Sequence, residues 1–178
     1  MIEDWEFKKY EANLIHFSAA ALMDAFFTAK IEMYYLTGVL DTLVVTLNQL
    51  TAQADGIVRQ QGGPALTVAV LEERKRELLE PFESFNRQQV TLRWNQYEQK
   101  AKETHAKAEL SIATLRPLIP PALHAEMVVL FDRLSQPFVW DLPHGRQKLK
   151  LLEDSLPDVL RLREGLMAQV GKKVGKKD

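Results

Sequence analysis

The chain has no cysteine among its 178 residues, which excludes a disulfide framework, a thiolate nucleophile and any thiolate metal site. It also lacks a dominant charge: 23 Lys and Arg stand against 24 Asp and Glu, for a formal net charge of −1. A dedicated nucleic-acid binder carries a basic excess to neutralise phosphates, and this composition has none. The glycine-rich phosphate loop, the dinucleotide fingerprint and the Gly-x-Ser-x-Gly elbow are all missing. So is Glu-x-x-His, the pair that di-metal carboxylate bundles place on each of two helices. No catalytic residue can be named from this sequence, and no cofactor or metal is expected. The opening residues, Met1-Ile2-Glu3-Asp4-Trp5-Glu6, are acidic and polar where a secretory signal would be basic and then apolar, so the expected location is cytoplasmic.

What is abundant is helical pattern. Steps of three and four from Trp5 land on Ala12, Ile15, Ala19, Leu22 and Phe26, then continue through Met33, Leu36, Leu40 and Leu47 to Ile57. Lys8 alone interrupts this seam. Such regularity predicts one continuous helix packing at a shallow angle against a partner. At 1.5 Å per residue it would be roughly 80 Å long, so an elongated molecule is expected. Phe17, Ile31 and Val45 fall opposite the seam, and Phe27, Tyr34 and Tyr35 widen the apolar surface. These six residues form the candidate interaction surface, because a helix apolar nearly all round is expected to be covered nearly all round.

Arg59-Gln60-Gln61-Gly62-Gly63-Pro64 reads as a helix-to-helix turn, with glycine ending one helix and Pro64 opening the next. The second helix carries two apolar stripes out of phase. Leu71, Leu78, Phe82 and Phe85 form the first, and Val90, Trp94, Tyr97, Ala101, His105, Ala108, Ile112 and Leu115 the second. Pro81 lies inside the first stripe, so a kink there is expected to account for the change of phase. Pro117, Pro120 and Pro121 end this helix, and a shorter one follows with Leu123, Met127, Leu130 and Leu134 on one face. Pro137 to Gly145 reads as a loop. In the fourth region, Ser155-Leu156-Pro157-Asp158 has the form of an N-terminal cap, which would divide that region into two short helices.

The expected fold is therefore all-α. A long antiparallel, coiled-coil-like hairpin would carry shorter helices packed on it as a bundle. It would be a single domain over residues 1–170, with helices at about 3–61, 64–116, 121–136 and 146–170, and residues 171–178 would be a basic flexible tail.

Several features bear on chemistry. His105 and Glu109 lie four apart on one helical face but belong to a ladder of surface pairs with Glu98 and Lys102, well short of the four ligands of a closed metal site. Arg87, Arg93, Trp94, Tyr97, Lys100, Lys102 and Lys107 could stack on single-stranded bases and neutralise their phosphates. Interleaved Glu98, Glu103 and Glu109, and the place of Trp94 and Tyr97 on an apolar stripe, favour a packed core instead. Asp24, Lys30, Glu32 and Asp41 interrupt the greasiest stretch, Phe17 to Leu47, and are expected to mark its solvated strip. They also make that stretch a poor membrane span. A ligand pocket around Tyr34 and Tyr35 is a further, weaker option.

The leading expectation is a non-enzymatic interaction or scaffold protein whose partner is a second copy of itself or another protein. The alternative is a membrane-active helical protein using Phe17 to Leu47. Nucleic acid is not an expected partner.

Overall fold

The computed structural model describes residues 2–62, 67–136 and 142–175. Among these the chain is all-helical, with α1 (Ile2–Gly62), α2 (Val68–Leu115), α3 (Pro121–Leu134) and α4 (Leu142–Val174), and no strand. The helices pack as a bundle. The chain divides into two compact units: Met1–Tyr34 with Glu98–Asp178, and Tyr35–Tyr97. The former is called the outer unit here and the latter the middle unit.

The buried face of α1 follows the seam. Ala12, Ile15, Ala19, Leu22, Phe26 and Met33 are buried in the outer unit, and Leu36, Leu40 and Ala54 in the middle unit. The flanking buried positions change along the helix, from Ser18 and Ala25 on one side of the seam to Thr37 and Val58 on the other. A seven-residue repeat drifts this way on a helix of 3.6 residues per turn, by about 20° per heptad. The drift explains why the last buried position is Val58 and not Ile57, which is exposed.

In the outer unit, α4 presents Leu152, Ser155, Val159, Leu162 and Leu166 at steps of three and four, all buried. They face Met127, Leu130, Phe131 and Leu134 of α3, and Leu115 and Ile119 at the end of α2 complete the same core. Three polar contacts fix these elements. The His124 Nε2 donates to the Ile112 carbonyl at 3.0 Å, tying α3 to the end of α2. Lys148 of α4, itself buried, donates its ammonium to the Leu134 and Gln136 carbonyls, capping the C-terminus of α3. Burial holds that ammonium below the usual lysine range. Finally, Lys173 Nζ lies 2.6 Å from a carboxylate oxygen of Glu11.

Three expectations are corrected here. The fourth region is one helix from Leu142 to Val174, so it begins inside the stretch read as a loop and includes Gly171 to Val174, read as tail. Residues 137–141 and 176–178 lie outside the described set. Ser155 is not a cap: it is buried, and its hydroxyl donates to the Leu151 carbonyl at 2.6 Å in mid-helix. Pro157 sits inside α4, exposed, on the side where water can reach the carbonyl it leaves unpaired.

In the middle unit α2 begins at Val68; the helix start read at Pro64 lies outside the described residues. Thr67 caps it by accepting from the Val70 N–H at 3.5 Å. Leu79 is buried and Leu71, Asn86, Val90, Trp94 and Tyr97 are half-buried, whereas Leu78, Phe82 and Phe85 are exposed. The packed side thus runs straight through Pro81 in one phase. The apparent phase change has another cause: Leu78, Phe82 and Phe85 occupy a second face. Asp55 and Lys75 join the two helices of this unit at 2.9 Å, an interaction that raises the lysine pKa.

Candidate interaction surface

All six candidate residues are exposed, each among its own unit's neighbours. In the outer unit Phe17 retains 69% of its surface, Ile31 51% and Tyr34 63%, with Phe27 less open. Phe27 leans on the buried Phe26 ring edge-to-face at 5.3 Å between centroids, which fixes its position. Nearby Tyr10 is equally open and was not singled out by the sequence, although it lies one heptad before Phe17 on the same stripe. In the middle unit Tyr35 and Val45 are exposed, together with Val44 and Ile57 of α1 and Val68, Leu78, Phe82, Phe85 and Leu92 of α2.

The two units differ in how well their apolar side chains are covered. Among the described residues, eighteen buried apolar side chains belong to the outer unit and five to the middle unit: Leu36, Leu40, Ala54, Val58 and Leu79. The middle unit's helices carry comparable apolar content but bury little of it, leaving roughly half exposed and most of the rest half-buried. The sequence missed this because Leu78, Phe82 and Phe85, with heptad spacing, read as core.

Of the charges that interrupt α1, Asp24 is exposed and Lys30, Glu32 and Asp41 are half-buried. Glu32 receives a hydrogen bond from Lys100 of α2 within the outer unit. His105 and Glu109 pair at 3.1 Å on the surface of α2, and no cluster of three or more metal-ligating side chains occurs among the described residues. Trp94 and Tyr97 lie half-buried with ring centroids 5.6 Å apart, and burial pushes the Tyr97 phenol up to about 12. Rings engaged in this way are poorly placed to stack on bases.

A groove of about 410 Å³ runs between α3 and α4, lined by Glu126, Val129, Arg133, Asp158 and Arg161 among others; neither Tyr34 nor Tyr35 lines it. Its cations are already engaged, since Asp158 lies 3.2 Å from Arg161 and 3.8 Å from Arg133. Helix α1 from Glu3 to Gln60 is long and apolar enough to cross a membrane by length and composition, with a best-window mean hydropathy of 1.3. A third of that window is buried within the protein. Comparison with known proteins finds no matching family model, no similar curated protein and no similar solved structure.

Proposed function

We propose that this protein is a non-enzymatic helical interaction or scaffold protein, cytoplasmic, that self-associates or holds a protein partner through the apolar surface of a long α1–α2 hairpin. The observation that carries this reading is the exposure of Phe17, Ile31 and Val45, large apolar side chains recurring on the outer stripe of α1. Soluble proteins seldom leave such stripes in water, and covering them is favourable by roughly 25 cal/mol per Å². An antiparallel pairing of α1 with α2 is supported by two ion pairs. In the middle unit Asp55 meets Lys75, near the connection in sequence, and in the outer unit Glu32 meets Lys100, far from it.

The test is absolute mass by light scattering on a sizing column over a wide concentration range. A concentration-dependent oligomer supports self-association. A monomer throughout leaves the surface to another protein. That case is tested by cross-linking in extract of the native cell, with the Phe17→Lys, Ile31→Lys, Val45→Lys variant as control. No adduct sensitive to those substitutions overturns the reading.

A second reading, membrane association through α1, is favoured by the hydropathy of that helix. Asp24, Lys30, Glu32 and Asp41 oppose it. Absence of co-flotation with neutral and anionic vesicles would remove it.

A further inference from the structure

Within the outer unit, α1 carries two lines of contact spacing, and the bundle covers only one. The covered line runs from Ala12 to Met33. The other lies on the far side of the helix. Between residues 10 and 34 every exposed position except His16 falls on it, from Tyr10 by alternating steps of three and four through Asn13, Phe17 and Ala20 to Tyr34. So narrow a line, at coiled-coil spacing, is the shape of a contact with one further helix. Its large members are open: Tyr10, Phe17, Ile31 and Tyr34 each retain more than half of their surface, and Phe27 somewhat less. Only two of its positions between residues 10 and 34 are polar, Asn13 and Asp24, and they decide what can cover it.

We infer that the helix meeting this line is the same segment of a second copy, running antiparallel about a two-fold axis midway between Phe17 and Ala20. The inference rests on the self-association reading above and deepens it by naming the contact and its register. That axis sets Phe17 against the partner's Ala20, large against small, and Tyr10 against the partner's Phe27. It also sets Asp24 against the partner's Asn13, whose amide can donate to the carboxylate, and this pair occurs twice. The two polar side chains therefore cover each other, and no carboxylate in the middle of the contact is left facing apolar groups, an arrangement that is costly to bury. Sliding one copy by a heptad sets Asp24 against the partner's Glu6 in one direction and against the partner's Ala20 in the other. Parallel pairing in register sets Asp24 against the partner's Asp24. A line shaped for an unrelated helix has no reason to match itself, whereas a closed two-fold dimer requires it.

Charge and area agree with this register. The line continues through Glu6, which is exposed, and the axis brings Glu6 level with the partner's half-buried Lys30. Lys9 also nears the partner's Lys30, but its ammonium is drawn aside over its own Trp5 ring, 5.1 Å from the centroid. At roughly 150–250 Å² for a fully covered aromatic, the open surface of the five large side chains is on the order of 500 Å² per copy. Asn13, Ala20 and Asp24 add to it. The total falls short of the ~800 Å² per partner of a standard interface, so the dimer is a weak one, dissociating on dilution with a Kd on the order of micromolar.

The experiment uses the full chain and measures the dimer dissociation constant by sedimentation equilibrium, with circular dichroism confirming helix content. Asn13→Asp turns both polar pairs into facing carboxylates and is expected to weaken dimerisation at least tenfold. Adding Asp24→Asn to it exchanges the two groups and is expected to restore the wild-type value. The two positions are roughly 16 Å apart along one helix, so within one chain they cannot compensate each other. The absence of cysteine allows a second reading of the register. Asn13→Cys mixed with Asp24→Cys and oxidised is expected to give a disulfide-linked dimer of one variant with the other. Neither variant alone is expected to link, because like positions then lie roughly 16 Å apart, beyond the reach of a disulfide. If the wild type dimerises but Asn13→Asp has no effect, or either cysteine variant links to itself as readily as to the other, this contact is overturned and the broader self-association reading stands. A monomer at every concentration overturns both. Flotation of that monomer with neutral vesicles, lost on Phe17→Glu, would assign the line to lipid and likewise overturn the inference.

Discussion

Truncating Leu79 to alanine tests whether the middle unit stands on as thin a core as its burial indicates. Leu79 retains 7% of its surface and is the only buried apolar side chain that α2 contributes to that unit among the described residues. Large-to-small changes at buried leucines cost about 2–5 kcal/mol, combining lost transfer energy with the cavity left behind. Because Leu79 packs in a sparse core near solvent, the surroundings can collapse, and a value of about 3 kcal/mol is expected. That corresponds to roughly a hundredfold increase in local opening, since about 1.4 kcal/mol is tenfold. Hydrogen exchange read by mass spectrometry should show amides of residues 35–97 exchanging about a hundredfold faster. Those of residues 10–30 and 150–170, in the outer unit, should be unchanged. Leu152→Ala, at a site with 1% exposure in the outer unit, should give the reverse pattern. Uniform loss of protection in both variants would show that the chain opens as one cooperative body and would refute the argument. So would an unchanged middle unit in Leu79→Ala, because the residue would then carry little of its stability.

Two further outcomes follow from single contacts. Burial raises the Tyr97 pKa to about 12, so between the usual tyrosine value near 10 and about 12 the unfolded chain releases a proton that the folded chain keeps. Stability should accordingly be insensitive to this group below pH 10 and fall above it, and Tyr97→Phe should abolish that part of the loss in urea melts recorded between pH 9 and 11.5. At Gly165 of α4, an added Cβ would lie 3.1 Å from Leu123 Cδ1 of α3. Alanine should be tolerated by a small shift of that flexible methyl, whereas Gly165→Val should force α3 and α4 apart and lower stability by about 1–3 kcal/mol, measured by thermal melting.

Much of α1 was legible because one rule governs it. An apolar residue every three or four positions marks a buried face, and nearly every seam position from Ala12 to Ala54 proved buried or half-buried. The charged strip was legible only in part: Asp24 is exposed, but Lys30, Glu32 and Asp41 are half-buried. In α2 the rule failed because periodicity reports an apolar face without saying what covers it. Leu78, Phe82 and Phe85 satisfy the heptad as well as Leu79 and Val90 satisfy theirs, and only the three-dimensional arrangement separates a packed stripe from an open one. Ser155 misled for a different reason. A serine two residues before a proline resembles a helix start, yet in α4 its hydroxyl bonds back to Leu151 within the helix, and Pro157 rests on the solvent side where a missing backbone donor is tolerated. Lys148 could not have been found from sequence, because its carbonyl partners lie 12 and 14 positions earlier, around the end of another helix.

The division of the chain also sets an order of assembly during synthesis. The middle unit is one uninterrupted stretch, Tyr35–Tyr97, whereas the outer unit is made from the chain's two ends. Its contact between Lys173 and Glu11 spans 162 positions. As the polypeptide leaves the ribosome, residues 35–97 can pair as soon as they emerge, while the first thirty-four wait for α4 to be made. The segment with the sparser core thus becomes available earliest, with its Phe82 stripe already displayed. The better-packed portion locks only after α4 has been made.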